Sequence, residues 1–158
     1  MSFWDITEEQ LAEHRQFVES NGASGSRLEK QGGNYVEKDL SGMNLDQGYF
    51  QGANFTGANL EGISFAGADF SGACFDNANL KGANFQGADL GGVTFNGTDL
   101  SGADLTTADC SGTSFQNANM TNTICRKTDL IAANLTGAEQ SGIILEDAIT
   151  TDAQGIVG

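Results

Sequence analysis

A chain of 158 residues suits one domain, and its 21 acidic against 7 basic residues give a net charge of −14, which works against direct binding to nucleic acid or to anionic lipid. Its 22 Gly with no Pro argue for regularly placed special backbone positions rather than a disordered linker. No apolar run approaches the ~20 residues that cross a bilayer, so no membrane association is expected; the charge instead suits a basic protein surface.

The opening residues, MSFWDITEEQ, lack the basic segment and apolar run of a secretory signal. Three cysteines form neither an even disulfide framework nor a metal-binding spacing. The expected compartment is therefore a reducing cytoplasm. Residues 4–21 read as an amphipathic helix, with Thr7 and Gln10 as a capping box and Ile6 and Leu11 as a hydrophobic staple. Leu11, His14 and Val18 share one face, with Phe17 beside it, and Gly22 is placed at the C′ position. Residues 22–33, GASGSRLEKQGG, read as a linker.

From about residue 38 the chain repeats every five residues. Numbering the slots one to five, slot three falls on the multiples of five. From 50 to 120 it holds eight Phe, five Leu, Cys110 and Met120. Slot one holds Ala in 12 of 18 cases between 53 and 138, and slot five holds Gly in 11 of 15 cases between 52 and 122. An α-helix is excluded, because five steps of ~100° leave successive apolar residues ~140° apart. One straight strand is excluded too, because an odd spacing would send successive large residues to opposite faces. Slots one and three can share the inner side of a short extended piece, provided the chain turns a corner before the next. Gly and Asn in slot five supply the positive φ that such a corner needs. The chain is therefore a coil around an apolar axis.

Stacked coils should repeat their core residues. Slot-three identities match in 7 of 11 pairs at a lag of 20, in 4 of 12 at 15 and in 3 of 10 at 25, so four repeats make one coil. Phe55, Phe75, Phe95 and Phe115 then stack in one column, and Leu60, Leu80, Leu100 and Met120 in another. Slots one and three are expected inside, and slots two, four and five outside. Cys110 and Cys125, on core slots, read as small buried hydrophobes.

The runs Ala78-Asn79-Leu80, Ala83-Asn84-Phe85 and Ala88-Asp89-Leu90 match the pattern A-(D/N)-(L/F)-x-x. In these residues the chain resembles the pentapeptide-repeat family over about residues 38–150. The head Leu11-x-x-His14-x-x-Phe17-Val18-x-Ser20-x-Gly22 is similar to short preambles in some bacterial members. The resemblance implies an all-β solenoid, a right-handed quadrilateral β-helix of about six coils, here with an N-terminal capping α-helix. The expected organisation is a capping helix and linker at 1–33, the repeat β-helix at 34–150 and a tail at 151–158. The helix is expected to cover the first coil, whose unpaired backbone groups and core side chains would otherwise be exposed.

No catalytic, cofactor or metal site is expected. His14 is the only histidine and reads as a helix-face residue against the first coil. The glycines are turn residues rather than a phosphate loop, and a period of five is not the nonapeptide of calcium-binding rolls. Two surface groupings stand out. Asp69, Asp89, Asp109 and Asp129 are 20 apart, so they form one column, either as an acidic stripe for a basic partner or as the ordinary use of Asp in slot two. Near the C-terminus Ile124, Ile131, Ile144 and Ile149 occupy outward slots, as a contact for a second copy in a homodimer or for the tail residues Ile156 and Val157. The expected role is a non-catalytic protein-interaction module or scaffold. The family resemblance implies an alternative, a DNA-mimic inhibitor or protector of a type II topoisomerase such as gyrase.

Overall fold

Slot-three carbonyls and slot-one amides close every corner of the chain. In the computed structural model, which describes residues 5–157, Ala53 N–H donates to Phe50 C=O at 3.0 Å, and Ala58 N–H to Phe55 C=O at 3.0 Å. Each corner is a β-turn with its third residue in slot five. Every slot-five residue from Gly32 to Asp152 has positive φ, as a type II turn demands. Glycine takes this conformation without penalty, whereas a side chain there costs roughly 1–2 kcal/mol. Thr107, Lys127 and Ala132 bear that cost at φ 60°, 53° and 55°. Ala132 is exposed, so Ala132→Gly should stabilise the fold by about 0.5–1 kcal/mol once the larger unfolded-state entropy of glycine is subtracted. A denaturant midpoint that stays put or falls would contradict a strained corner.

Between corners, slots one to three run extended and pair with the coils on either side. Slot-two residues form single parallel bridges at a spacing of 20, from Glu29 with Tyr49 to Asn134 with Gln154. Four pentapeptides therefore make one coil, and the ladder spans a little over six coils. It starts earlier than the expected boundary at 34. Glu29 already pairs with Tyr49, and Leu28 is buried at the start of the first coil, so the stretch read as linker gives its last residues to the solenoid. The ladder also runs past 150, because Gln154 pairs with Asn134.

From residue 45 to 135 slots one and three are buried, while slots two, four and five stay outside; in the last coil the inner slots are half-buried and Thr150 is exposed. The aromatic column is continuous: Phe55–Phe75, Phe75–Phe95 and Phe95–Phe115 stack at 4.7, 5.1 and 5.3 Å between ring centroids. Tyr35 adds a further member, 4.8 Å from Phe55. Threonine enters the slot-one core without leaving its hydroxyl unpaired. Thr98, Thr113 and Thr128 Oγ1 each donate to a slot-three carbonyl of the coil before, at 2.7 Å, and Thr123 does so at 2.9 Å. Cys110 and Cys125 are buried too. Burial pushes the Cys125 thiol up to about 12, with Asp104 adding to it, so it packs as an apolar group.

The N-terminal helix α1 spans Glu8–Glu19. The capping box forms: Gln10 N–H donates to Thr7 Oγ1 at 3.2 Å, and Thr7 N–H to Gln10 Oε1 at 3.0 Å. The helix is shorter than the 4–21 read from sequence, whose first residue lies outside the described ones. At its C-terminus Asn21, not Gly22, takes the left-handed C′ position with φ 53°. Asn21 N–H donates to Val18 C=O and Gly22 N–H to Phe17 C=O, at 3.1 and 2.8 Å. This is the paired bonding of a Schellman motif, where Asn can replace Gly. Ile6 and Leu11 pack against the core, and His14 is buried. Arg27 lies between the Phe17 and Tyr49 rings, 4.8 and 4.3 Å from their centroids, tying helix, connecting segment and solenoid together.

At the other end Gly155, with φ 73°, turns the chain away from the coil path. A Cβ there would meet Thr136 N at 2.6 Å and Leu135 C at 2.7 Å, so the close approach needs glycine. Ile156 then packs against the core. Gln140, in a core slot, holds the tail through both amide atoms. Nε2 donates to Gly155 C=O at 2.7 Å, and Oε1 accepts Val157 N–H at 3.1 Å.

Candidate interaction surface

Each corner leaves one amide, that of slot four, outside the ladder between coils. A short side-chain acceptor two residues earlier reaches it, which is the local bond that favours Asp and Asn at such positions. The four aspartates make this bond. Ser71, Gly91, Ser111 and Ile131 N–H donate to Oδ1 of Asp69, Asp89, Asp109 and Asp129 at 3.0, 3.0, 2.9 and 2.9 Å. Consecutive bridges join Asp69 to Asp89, Asp89 to Asp109 and Asp109 to Asp129, so the column exists on one face. Asp89 and Asp109 are exposed, while Asp69 and Asp129 are half-buried. Burial pushes the Asp69 carboxyl up, but hydrogen bonds from the Ser71 hydroxyl, the Ser71 amide and Gln51 together outweigh it and hold it below its usual value. Beside the column slots four and five hold small residues: Ser71-Gly72, Gly91-Gly92 and Ser111-Gly112. The ion pairs among the described residues, Lys38–Asp5 at 3.6 Å and Arg126–Glu146 at 2.8 Å, involve none of the four.

Where slot two holds Ser or Thr, the bond comes from elsewhere. Ser64, Thr94 and Ser114 occupy slot two in three repeats. There the slot-four amides of Ala66, Asn96 and Gln116 donate to Asp46, Asp76 and Asn96, one coil back, at 2.8, 2.9 and 3.2 Å. Sequence reading missed these residues. Their signal is an Asp or Asn in slot four, 20 residues before the unserved amide.

The aspartate column runs into isoleucine. Asp129 bridges to Ile149, with Ile131 in the neighbouring slot four, and on the adjacent face Ile124 bridges to Ile144. Ile131 and Ile149 are 38% and 49% exposed, and Ile124 and Ile144 are half-buried. The tail folds onto the end of the core and leaves Ile131 and Ile149 in solvent. Cys74, in an outward slot, is half-buried and lies 3.4 Å from Thr56 Oγ1. Among the described residues no group of His, Cys, Asp or Glu is arranged to hold a metal ion, and no helix is long and apolar enough to cross a membrane.

A four-sided parallel coil with a stacked aromatic core and Asx-capped corners defines a repeat solenoid whose outer faces are free to carry function. The chain belongs to the family of pentapeptide repeats, whose profile matches residues 37–72, 73–109, 83–122 and 108–147. Its right-handed quadrilateral β-helix is shared with solved structures. Trypsin-treated QnrB1, a plasmid-mediated fluoroquinolone resistance protein, is 23% identical. The match covers 80% of this chain and 72% of that one, with a TM-score of 0.54. A pentapeptide repeat protein from Nostoc Pcc 7120 is 22% identical over 65% of this chain and 78% of that one, with a TM-score of 0.53. At these identities the likeness is one of fold. None of the curated proteins matches the chain.

Proposed function

We propose that this protein is a non-catalytic interaction rod whose aspartate face receives a basic protein surface. The observation that carries the reading is the column of Asp69, Asp89, Asp109 and Asp129, stacked coil upon coil, none of which takes part in an ion pair among the described residues. Each carboxylate accepts a backbone amide at Oδ1; Asp69 also accepts from Gln51 and the Ser71 hydroxyl, and the exposed Asp89 and Asp109 present the rest of their charge outward. At the ~4.8 Å spacing of paired strands, neighbouring charges repel by about 1 kcal/mol per pair in water-like dielectric. A cationic partner relieves that repulsion. Ile124, Ile131, Ile144 and Ile149 at the foot of the column supply an apolar contact, to the same partner or to a second copy in a homodimer.

A second reading is a DNA mimic that inhibits or protects a type II topoisomerase such as gyrase, and charge density favours it. Residues 39–158 hold 14 acids and 3 bases. Over six coils of ~4.8 Å that is about one net charge per ~2.6 Å, against ~1.7 Å for duplex DNA.

The test is a quadruple variant with Asp→Asn at 69, 89, 109 and 129. Asparagine keeps an Oδ1 acceptor for the slot-four amide, so the melting temperature should hold or rise. Binding to a basic partner captured from native lysate should weaken at least tenfold and lose much of its salt dependence. Unchanged binding would reduce the column to corner chemistry alone. Supercoiling assays separate the two readings: inhibition by the wild type that disappears in the variant favours the DNA mimic, and none at micromolar protein leaves the scaffold.

A further inference from the structure

Besides the Asp5 contacts to Lys30 and Lys38, the N-terminal segment meets the first coil through a buried imidazole. His14 is 1% exposed, and its Nδ1 accepts the Leu28 backbone N–H at 3.0 Å. That bond places the proton of the neutral ring on Nε2. Nε2 is itself buried without a partner. Among the described residues the only other such side-chain atom is the Tyr35 hydroxyl, in the first coil. The junction between α1 and the solenoid thus holds both of the unsatisfied buried polar side-chain atoms, and separation would give each of them water.

The polar and charged groups that face His14 come from two elements. The first coil contributes the backbone of Leu45 and the backbone and carboxylate of Asp46, and the connecting segment contributes Arg27. On α1 itself the neighbouring ring is Phe17, 6.3 Å away and nearly parallel.

We propose that His14 is a pH-operated latch, in which a proton taken from solvent at Nδ1 breaks the bond to the Leu28 amide and releases α1 from the first coil. An imidazolium has N–H groups at both positions, so a protonated Nδ1 would point a donor at the Leu28 donor. Burial is the largest influence on the ring and holds its pKa below the ordinary value. The Asp46 backbone and carboxylate and the Leu45 backbone oppose it, and Arg27 reinforces it. Undocked, the ring titrates near its ordinary value of about 6.5. The released state therefore binds the proton more tightly than the docked one. Docking is at full strength above that value and weakens as pH falls below it, by up to tenfold per pH unit, until the docked ring itself titrates. The chain has one histidine, and ordinary carboxylates titrate near pH 4, so the window between pH 7 and 5 isolates this group. Release opens the end of the core at Leu28, Tyr35 and Leu40.

The experiment follows the full chain by NMR from pH 7 to 5, reading the His14 ring and the exchange protection of the Leu28 and Phe75 amides. Protection at Leu28, corrected for intrinsic exchange, should fall by up to tenfold per pH unit below about 6.5 while Phe75 holds. His14→Asn retains an acceptor near the Nδ1 position but cannot take the proton, and should remove the pH dependence. Protection at Leu28 that is constant across the window, or that falls equally in H14N, overturns the latch. If H14N does not dock, the wild type decides: ring titration and loss of Leu28 protection with one midpoint support the latch, and ring titration with Leu28 still protected refutes it.

Discussion

Phe75→Ala should destabilise the protein by about 3–5 kcal/mol in denaturant melts, at the upper end for a core truncation. Phe75 is fully buried. It stacks between Phe55 at 4.7 Å and Phe95 at 5.1 Å, with edge contacts to Phe70 and Phe85 at 5.1 and 5.9 Å. Truncation cost depends on how far the surroundings can collapse, and here they are pinned. Phe75 N–H donates to Thr94 C=O at 2.8 Å. Its carbonyl accepts both Ala78 N–H at 3.0 Å and Thr98 Oγ1 at 2.7 Å. The rings above and below are fixed to coils with the same bonding, so they cannot slide along the axis to fill the gap. A loss below 1 kcal/mol would mean that the coils can close on the void, against the packing described for this column.

The solenoid was legible in the sequence because its physics repeats. A corner every five residues demands the same three things each time: a large inner residue, a small inner residue and a left-handed turn position. The column Phe55–Phe115 followed directly from the lag of 20. Features that occur once were not legible. The exchange of Asn21 for Gly22 at the helix end is a choice between two residues that both tolerate positive φ, and only the hydrogen bonds separate them. Leu28 and Glu29 begin the ladder inside a stretch whose composition reads as linker, because a first coil needs just one pairing partner. Asp46 and Asp76 serve amides one coil away, and no local pattern announces that. For the aspartate column, sequence left a stripe for a partner against a habit of the repeat. The geometry shows the habit at work in all four Oδ1 bonds, while the outward charge of the same carboxylates is what the proposed partner would read.

Removing residues 1–22 should convert the protein from a discrete species into one that assembles end to end. The first coil has no coil before it. Among the described residues, the amides of Asn34, Asp39 and Asn44 lack the backbone acceptor that Asn54, Asn59 and Ser64 find at Gly33, Lys38 and Met43, at 2.8, 2.9 and 2.9 Å. At the far end Leu145 and Thr150 lack the acceptor that Cys125 and Leu130 find at Ile144 and Ile149, at 2.7 and 2.8 Å. One end offers slot-two and slot-four carbonyls, the other offers slot-three and slot-five amides, and both repeat on the same four-sided frame. Two copies can therefore stack head to tail in the register that joins coils within one chain, with the tail that Gln140 holds displaced from the far end. Such a contact is heterologous and does not close on itself, so it propagates into rods rather than stopping at a dimer. In the intact chain α1 occupies this end, with His14 against Leu28 and Ile6 and Leu11 on the core. Its loss uncovers Leu28, Tyr35 and Leu40 as well as the unpaired edge, a template of the kind that capping elements exist to block. Light scattering of the truncated chain should show mass growing with concentration beyond twice the monomer, and its melting temperature should fall when diluted. A truncated protein that stays monomeric and melts with the intact chain would show that the helix is not what keeps this end closed.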